Sequence, residues 1–511
     1  MLNFGSKEPS GTPRRSRVAM SLALALSALL APAGASADAG VGAKGAKIRQ
    51  ARDIALPSLF DDLQRRTFDF FWETTNPANG LVPDRYPTPS FSSVAAVGFG
   101  LTAYPIGVER GYVTRQQARE RVLATLRFFR NAPQGDAKGT ATSGYKGFFY
   151  HFLDMKTGLR HNDGVELSTV DTALFLAGAL FCQSYFDGDD PAEKEIRKLA
   201  AEIYERVDWR WAQARQPSIS MGWHPESGFL AYDWKGYNEA MLVYVLALAS
   251  PTHPVQPDAW KAWTSNYGQS LEGKGEKEHL GYPSLFIHQY SHVWIDFRGI
   301  RDEYLRERGY DYFENSRRAT YAQQAYAIAN PLRCKGYGAN VWGITASDGP
   351  VEKTLAYGDI QLPFRTYTAR GTGGLKNHDD CTLAPTAAAS SLPFAPEIVI
   401  PAVLEMKQRY GDFIYGRYGF LDAFNPSFNY DIPVSQGKTI KDKGWVDVDY
   451  LGIDQGPIIA MTENYRSDLV WRVMRGHPAI RLGLERAGFT GGWLRPPAAV
   501  KRAAAEMAPA R

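Results

Sequence analysis

The sequence predicts an all-α fold in which paired helices close into a ring, an (α/α)6 barrel with long loops over one face. Apolar residues recur at three- and four-residue spacing in twelve stretches of the 511-residue chain, and twelve helices can form six hairpins. Alternate stretches are rich in Ala, Gly and Ser, as in Ala177-Gly178-Ala179, which lets helices approach closely at a crowded centre. An open helical solenoid is the alternative, but it requires a fixed-period repeat that the sequence does not show.

The predicted helices alternate between inner members rich in small residues and outer members that are amphipathic, because an outer helix keeps one face in water. In chain order they span residues 56–75, 91–110, 114–131, 168–185, 192–215, 237–249, 258–267, 283–303, 310–329, 382–392, 396–410 and 452–474. Two long connections, 333–380 and 411–450, are rich in aromatic, Asn and Asp residues. Loops of this length inside a compact domain usually serve function, so we expect them to wall a cleft.

The N-terminus has the pattern of a secretory signal peptide. Arg14, Arg15 and Arg17 form a positive region, residues 18–30 are apolar, and Ala35-Ser36-Ala37 suits cleavage. The apolar run is too short to span a membrane, and the Arg14-Arg15 pair also permits a twin-arginine signal. We therefore expect a periplasmic or secreted protein. Its expected parts are a signal peptide at 1–37, an extension at 38–52, one helical domain at 53–495 and a disordered tail at 496–511.

Composition narrows the range of partners. The formal net charge is +4, and most of it belongs to the predicted signal peptide, so the rest of the chain is nearly neutral. Nucleic acid and anionic membranes require a basic surface and are therefore not expected as partners. The chain has 27 Tyr and 12 Trp, whose rings can stack on the apolar faces of sugars. A neutral poly- or oligosaccharide, bound by a monomer, is the partner that fits best.

Three cysteines are too few for a disulfide framework. Cys182 lies in an apolar helical stretch and is expected to be a buried thiol. Cys334 and Cys381 flank the first long loop. The sequence leaves open whether these two pair in an oxidising compartment or stay reduced.

Acidic residues stand where the predicted inner helices begin. Glu166 and Asp171 flank the start of the fourth helix, Glu239 lies in the sixth and Asp454 in the twelfth. The helix dipole alone favours an acid in a first turn, so each one taken singly is ordinary capping. Inner helices of such a ring all start on one face, so the four acids together predict an acidic, aromatic-lined cavity. This cavity suits glycosidic hydrolysis, which needs a protonated carboxyl and an ionised carboxylate.

Further polar and aromatic side chains lie at the same helix starts and in the first long loop. We assign the following to substrate binding: Trp234, Tyr237, His288, Gln289, Tyr290, His292, Trp294, Trp342, Asp348, Asp380 and Gln455. His288 and His292 have the spacing of half a metal site, but the string HQYSH lacks the Glu of HExxH. We therefore expect no metal and no other cofactor.

Six strings carry a family resemblance: ELSTVDTALF, GYPSLFIHQYSHVWIDFRG, YGANVWGITASDGP, APTAAASSLPFAPE, YGFLDAFNPS and DQGPIIAMTENYRS. Over residues 53–494 the chain resembles the bacterial glucoamylase-like domain, a family that includes glycoside hydrolase family 144. The resemblance implies an (α/α)6 barrel that hydrolyses β-1,2-glucan with inversion at the anomeric carbon and without a metal. Cys381 departs from the Gly of the family's DDGT-like string, which implies a disulfide or an altered loop.

The resemblance places functional carboxylates in ELSTVDTALF and in YNEAM, which points to Asp171, Glu239 and Glu166. We assign Glu239 as the general acid, while Asp171, Glu166 or Asp454 would position or activate the water. In inverting enzymes the two carboxyls stand about 6.5–9.5 Å apart, and here the acid can also act through a substrate hydroxyl or a water chain.

Two other functions stay open. A polysaccharide lyase on the same ring would need a cation to neutralise a uronate carboxylate, and Arg298, Arg365 and Arg370 are the candidates. A non-catalytic sugar-binding or glucan-biosynthesis accessory protein is the other alternative. Linkage specificity and endo or exo action do not follow from the residues.

Overall fold

The computed structural model describes residues 53–494, and the predicted signal peptide, extension 38–52 and tail 496–511 lie outside these residues. The described part is dominated by fifteen α-helices. They are α1 (Ser58–Thr74), α2 (Val94–Glu109), α3 (Arg115–Asn131), α4 (Thr169–Tyr185), α5 (Pro191–Glu205), α6 (Met241–Ala249), α7 (Asp258–Thr264), α8 (Tyr290–Trp294), α9 (Glu303–Arg308), α10 (Tyr312–Ala329), α11 (Pro385–Ala389), α12 (Pro396–Ile414), α13 (Gly452–Ser467), α14 (Leu469–Arg475) and α15 (Pro478–Arg486). Within 53–494, no helix has the length and apolar character needed to cross a membrane.

Short β-strands occupy the loops between these helices and form small antiparallel sheets. They are β1 (Arg85–Tyr86), β2 (Ser92–Ser93), β3 (Gly144–Tyr145), β4 (Phe148–Tyr150), β5 (Phe152–Leu153), β6 (Leu167–Ser168), β7 (Gly222–His224), β8 (Gly228–Phe229), β9 (Leu271–Glu272), β10 (His279–Leu280), β11 (Ile300–Arg301), β12 (Ala346–Ser347), β13 (Lys353–Tyr357), β14 (Ile360–Phe364), β15 (Thr368–Ala369), β16 (Tyr415–Gly416), β17 (Gly419–Phe420), β18 (Phe424–Asn425), β19 (Lys438–Ile440), β20 (Gly444–Val446), β21 (Tyr450–Leu451) and β22 (Thr490–Gly491). The largest sheet has the order β3-β4-β6-β7-β8, and β6 leads directly into α4. The strands therefore shape the loops at the helix starts.

Six helices contact one another in a closed cycle: α2, α4, α6, α8, α11 and α13. α2 packs against α4 and α13, α4 contacts α6, and α11 contacts α13. The amide of Leu242 in α6 donates to Ser291 Oγ in α8 at 3.1 Å. Gln289, which precedes α8, donates to the carbonyl of Ala387 in α11 at 2.8 Å.

A second helix packs against each of these six. The pairs are α1 with α13, α3 with α2, α5 with α4, α15 with α6 and α12 with α11, while α10 packs against the 3-10 turn Leu285–His288 that leads into α8. Capping explains where several helices begin. Ser93 accepts from the amide of Ala96 at 3.3 Å before α2, and Thr114 forms a capping box with Gln117 before α3.

Glycine lets the inner helices touch backbone to backbone. A Cβ atom at Gly98 in α2 would lie 2.2 Å from the carbonyl oxygen of Leu174, and one at Gly178 in α4 would lie 2.1 Å from that of Gly98. A Cβ atom at Gly456 in α13 would lie 2.1 Å from the Phe99 side chain. The prediction that small residues mark the inner helices is confirmed at these contacts.

Aromatic side chains fill the centre between the inner helices. The rings of Phe99 in α2 and Trp294 in α8 stack with centroids 5.2 Å apart. Trp294 also donates from Nε1 to Thr102 Oγ1 at 2.9 Å, so its polar atom is satisfied inside the core. These contacts pack α2 against α8 across the centre.

Most predicted helix ranges agree with the structure, but three were wrong in extent. The range 192–215 ends at Glu205, where the chain turns to bury Trp209 in the core. Of 283–303 only the 3-10 turn, α8 and the first residue of α9 are helical, because Ile295 is extended and Arg298 and Gly299 form an exposed turn. The range 452–474 breaks at Asp468, which has a left-handed φ of 61°. Two helices, α9 and α15, were not predicted.

Candidate active site

The N-terminal ends of the inner helices are linked to one another on one face. Ser291 in α8 donates to the carbonyl of Glu239, which precedes α6, at 3.1 Å. Tyr290 in α8 donates to the carbonyl of Ile453 in α13 at 3.2 Å. Thr386 in α11 donates to the carbonyl of Asp454 at 3.2 Å, which adds a further helix start. The loops that enter the inner helices therefore build one common site.

His151, a residue that no sequence pattern indicated, contacts both acids at the start of α4. Its Nδ1 lies 2.9 Å from Glu166 Oε1, and its Nε2 lies 3.4 Å from Asp171 Oδ1. Asp171 stands in the first turn of α4, as expected, and its second oxygen accepts from Ser168. Both oxygens of Asp171 therefore already have partners.

The charges of this group depend on one another. Burial alone would lower the pKa of His151, but the carboxylates of Asp171 and Glu166 raise it to about 9. Burial raises the pKa of Asp171, and the His151 cation opposes that rise. Burial also raises the pKa of Glu166, but the His151 cation lowers it by more, so the pKa of Glu166 is lowered overall. At neutral pH the imidazole is thus a cation between two carboxyl groups.

Glu239 lies just before α6 rather than in its first turn, which corrects the predicted helix start. Gly236 has a φ of +82°, and Asn238 Oδ1 accepts from the amide of Ala240 at 3.0 Å, so these residues form a turn. Burial raises the pKa of the Glu239 carboxyl to about 7, and the charge of Asp171 adds to this effect. A carboxyl that keeps its proton near neutral pH can serve as a general acid.

Asp454, in the first turn of α13, belongs to a second acidic group. Asp348 from the first long loop and Asp422 and Asp447 from the second place carboxyl oxygens within 4.8 Å of one another. Burial raises the pKa of Asp454 to about 7, that of Asp447 to about 9 and that of Asp422 well above its usual range. Both long loops thus contribute carboxyl groups to this cluster, and their role as the walls of a substrate cleft stays a prediction.

Protons and Arg85 compensate the negative charge of the second group. Arg85 Nη1 lies 2.6 Å from Asp348 Oδ2 and 3.8 Å from Asp449 Oδ2. Among the described residues, one oxygen of each of Asp422, Asp447 and Asp454 has no hydrogen-bond donor. Such oxygens can accept from a protonated neighbouring carboxyl or a water, and they are also ligands of the kind that a hard divalent cation accepts.

The eleven residues assigned to substrate binding are all buried. They are Trp234, Tyr237, His288, Gln289, Tyr290, His292, Trp294, Trp342, Asp348, Asp380 and Gln455. Several have partners inside the protein: Asp380 binds Arg370 at 2.8 and 2.9 Å, and His292 Nε2 lies 3.1 Å from Ser316 Oγ. These side chains position the loops, and substrate contact by them stays a prediction.

Two tyrosines that are only partly buried lie beside the candidate catalytic carboxyl groups. Tyr282 is 40% exposed and Tyr367 is 47% exposed. Burial raises the pKa of Tyr282, with a contribution from Glu239, and that of Tyr367, with a contribution from Asp454. Each ring therefore lies near one of the candidate catalytic carboxyls, where a sugar ring could stack on it.

The three arginines considered for a lyase are already paired with carboxylates. Arg298 donates to Asp296 at 2.7 and 2.9 Å, and the fully buried Arg370 binds Asp380. Arg365 forms an ion pair with Glu352. A cation engaged in this way is not free to neutralise a uronate.

Cys334 and Cys381 form a disulfide, which settles the question that the sequence left open. Their Cα atoms are 5.3 Å apart and the sequence separation is 47 residues. The bond ties the end of the first long loop, which carries Asp348, to its beginning. Cys182 is a buried free thiol, as predicted.

Comparison with known proteins agrees with this architecture. Residues 231–478 match the family described as "Putative glucoamylase". A Bacteroides uniformis structure with the same description is 32% identical and superposes with a TM-score of 0.71, covering 86% of this chain and 98% of that one. An endo-β-1,2-glucanase from Chitinophaga pinensis, solved with sophorotriose and glucose, is 28% identical with a TM-score of 0.72, covering 86% of this chain and 100% of that one.

One curated relative is named for its action on β-1,2-glucooligosaccharides. It is an exo-β-1,2-glucooligosaccharide sophorohydrolase acting at the non-reducing end, from Parabacteroides distasonis, and it is 29% identical over 462 residues. The alignment covers 84% of this chain, which spans 57% of that relative's length. The sequence resemblance is thus confirmed, and the chain belongs to the glucoamylase-like family.

Proposed function

We propose that this protein is a glycoside hydrolase that cleaves β-1,2-glucan by an inverting acid/base mechanism. One observation carries the proposal. A carboxyl with a raised pKa, Glu239, lies near carboxylates held beside a cation, Asp171 and Glu166, where the inner helices begin. Relatives named as β-1,2-glucanase and as β-1,2-glucooligosaccharide sophorohydrolase support the choice of substrate. We further propose that the closed cycle of six helices, each backed by another, is an (α/α)6 barrel.

Glu239 is the general acid in this proposal, because its pKa of about 7 keeps a proton available near neutral pH. Asp454 is the better base candidate than Asp171. Both oxygens of Asp171 have partners in His151 and Ser168, whereas one oxygen of Asp454 has no donor among the residues described. Once ionised, the Asp454 carboxylate can accept a proton from the attacking water.

Asp422 helps Asp454 to act as the base. Its pKa is raised well above the usual range by burial, and its hydrogen bond to Asp454 lowers the pKa of the latter. Asp422 therefore holds its proton more tightly than Asp454, so Asp454 is the member of this pair that ionises first as the pH rises. A base must carry a negative charge while the acid is protonated.

Export is part of the proposal. The N-terminal pattern is that of a signal peptide, and a disulfide such as Cys334–Cys381 persists in oxidising compartments. N-terminal sequencing of the exported protein should begin at Asp38. A mature protein that retains residues 1–37 would contradict the proposed cleavage.

The experiment is a product assay on linear β-1,2-glucan, with β-1,3- and β-1,4-glucans in parallel. We expect sophorose or longer sophoro-oligosaccharides from the first polymer only, and NMR of the nascent products should show the inverted anomer. Product length distinguishes endo from exo action. Release from another glucan alone would overturn the linkage.

The same preparation tests the two alternatives. A lyase would raise the absorbance at about 235 nm on uronate polymers, which the pairing of Arg298 and Arg370 argues against. An accessory protein would bind β-1,2-glucan without releasing products. Either result would replace the proposed hydrolase function.

A further inference from the structure

His151 is fixed in place by backbone hydrogen bonds and ring stacking as well as by its two acidic side-chain partners. Its amide donates to the carbonyl of Glu166 at 2.9 Å, and its carbonyl accepts from the amide of Val94 at 3.1 Å. Its ring stacks on Phe152 with centroids 3.8 Å apart and planes 19° apart. The backbone thus connects the start of α2 with the strand that leads into α4, and the ring cannot turn away without losing the stack.

The imidazole is surrounded mainly by negative groups. The groups that face it are Asp171 in α4, Glu166 before β6 and Asp84 before β1. Behind these lie His224 in β7, which faces Glu166, Arg85 and Asp348, which face Asp84, and Glu239, which is affected by Asp171. About a third of the His151 side chain, 31%, stays open to the site.

Given the proposed hydrolase function, we propose that His151 is a positioning residue, a fixed cation that keeps Asp171 and Glu166 ionised and in place beside Glu239. Ionised carboxylates accept hydrogen bonds from sugar hydroxyls but cannot donate to them. Asp171 and Glu166 therefore orient the glucan and do not compete for the role of acid. Glu239 is then the one member of this group that carries an acid proton.

His151 also affects the pKa of Glu239 indirectly, through the charge of Asp171. The negative charge of Asp171 adds to the burial that raises the pKa of Glu239. Without the cation, nothing from His151 would oppose the burial that raises the pKa of Asp171, and a larger fraction of this carboxyl would be protonated. Asp171 would then become a donor and would no longer help Glu239 retain its proton.

Three variants test the inference. His151→Gln removes the charge and keeps a hydrogen-bonding side chain, whereas His151→Lys keeps the charge. His161→Gln is the matched control, because His161 is exposed on the same loop and its ring packs against Phe91. Thermal unfolding of each variant shows whether it is folded before its activity is compared.

The first readout is the pH profile of kcat/KM on β-1,2-glucan. In His151→Gln the acidic limb should move to higher pH by about 1–3 units, because the lost opposite charge had held the acids ionised. His151→Lys should restore most of this shift, and His161→Gln should leave the profile unchanged. An active, folded His151→Gln protein with the wild-type acidic limb would overturn the inference.

The second readout does not require activity. With isotopically labelled histidine, the imidazole signal that disappears in His151→Lys should titrate in the wild-type protein with a midpoint near 9. A midpoint at or below the ordinary pKa of 6.5 would overturn the inference, even if His151→Gln failed to fold. If the wild-type protein released no product from β-1,2-glucan, the proposed function would fail, and this titration would still decide the role of His151.

Discussion

At the scale of single residues, the pKa values of Glu239 and Glu166 are shifted in opposite directions because their surroundings differ. Glu239 lies in a turn, and burial raises its pKa to about 7. Glu166, one helix start away, is held beside the cation of His151, and its pKa is lowered. Side chains of the same chemical type can therefore serve as acid and as acceptor on one face.

The first prediction concerns Glu239→Gln. This change removes the acidic proton and keeps the shape, so kcat should fall by about 10²–10⁴-fold while binding of sophoro-oligosaccharides is retained. Steady-state kinetics and calorimetric binding measure the two effects. Glu120→Gln on the exposed face of α3 is the matched control and should be fully active. Substantial turnover by the Glu239 variant would remove this residue from the role of acid.

The second prediction concerns the basic limb of the pH profile. The acid form of Glu239 is the active one, and its pKa is raised to about 7, so kcat/KM should decrease as the pH rises through about 7. Initial rates across buffers of equal ionic strength measure this limb. A basic limb set by the ordinary value of 4.5 would contradict the assignment.

The sequence allowed Asp171, Glu239 and Asp454 to be identified, since each follows from its place at the start of an inner helix. His151 and Asp422 did not follow from it. They lie in loops, and no local pattern shows which helix start a loop residue will face. The side chains of the HQYSH string are buried, and the sequence could not show which of them point into the core.

At the scale of elements, the inner helices depend on glycine where two backbones meet. The third prediction is that Gly98→Ala lowers the free energy of unfolding by about 1–3 kcal/mol, because the new Cβ would overlap a backbone carbonyl that cannot move independently. Thermal or denaturant unfolding measures the change. Gly268→Ala is the control, since nothing lies within 4 Å of the added atom. Equal stabilities for the two variants would show that α2 and α4 can separate without cost.

Helix identity was more predictable than helix extent. Long stretches with a clear start, such as α3 with its capping box and α12 with Pro396 at its first position, were found within a few residues of their bounds. The range 283–303 was not, because buried extended segments and buried helices are equally apolar. α15 was missed although it backs α6, since it follows a break that the sequence pattern did not reveal.

At the scale of the whole molecule, the site lowers the stability of the folded protein at alkaline pH. Asp447, Asp454 and Glu239 have folded pKa values of about 9, 7 and 7, all above the ordinary values of 3.8 for Asp and 4.5 for Glu. The folded state therefore holds protons that the unfolded chain releases. His151, with a pKa of about 9, acts in the same direction.

The fourth prediction follows from this sign. Stability from these groups is fully present at low pH and is lost as the pH rises through their folded pKa values, so the Tm should decrease between about pH 6 and pH 9. Calorimetry across this range measures the slope. Asp447→Asn, which cannot ionise, should flatten the decline. A Tm that rises over this range would contradict the protonation states assigned to the acidic group.

The position of α15 against α6 has a consequence for where the protein can be divided. The match to the family begins at residue 231 and ends at 478, so it omits α2, α4 and nearly all of α15. A fragment cut to these limits would leave the apolar surfaces of α6 and α13 without their neighbours and would lack Asp171 and His151. We expect such a fragment to aggregate on expression, whereas residues 53–494 should remain monodisperse in size-exclusion chromatography. The segment that matches the family is therefore smaller than the unit that we expect to fold.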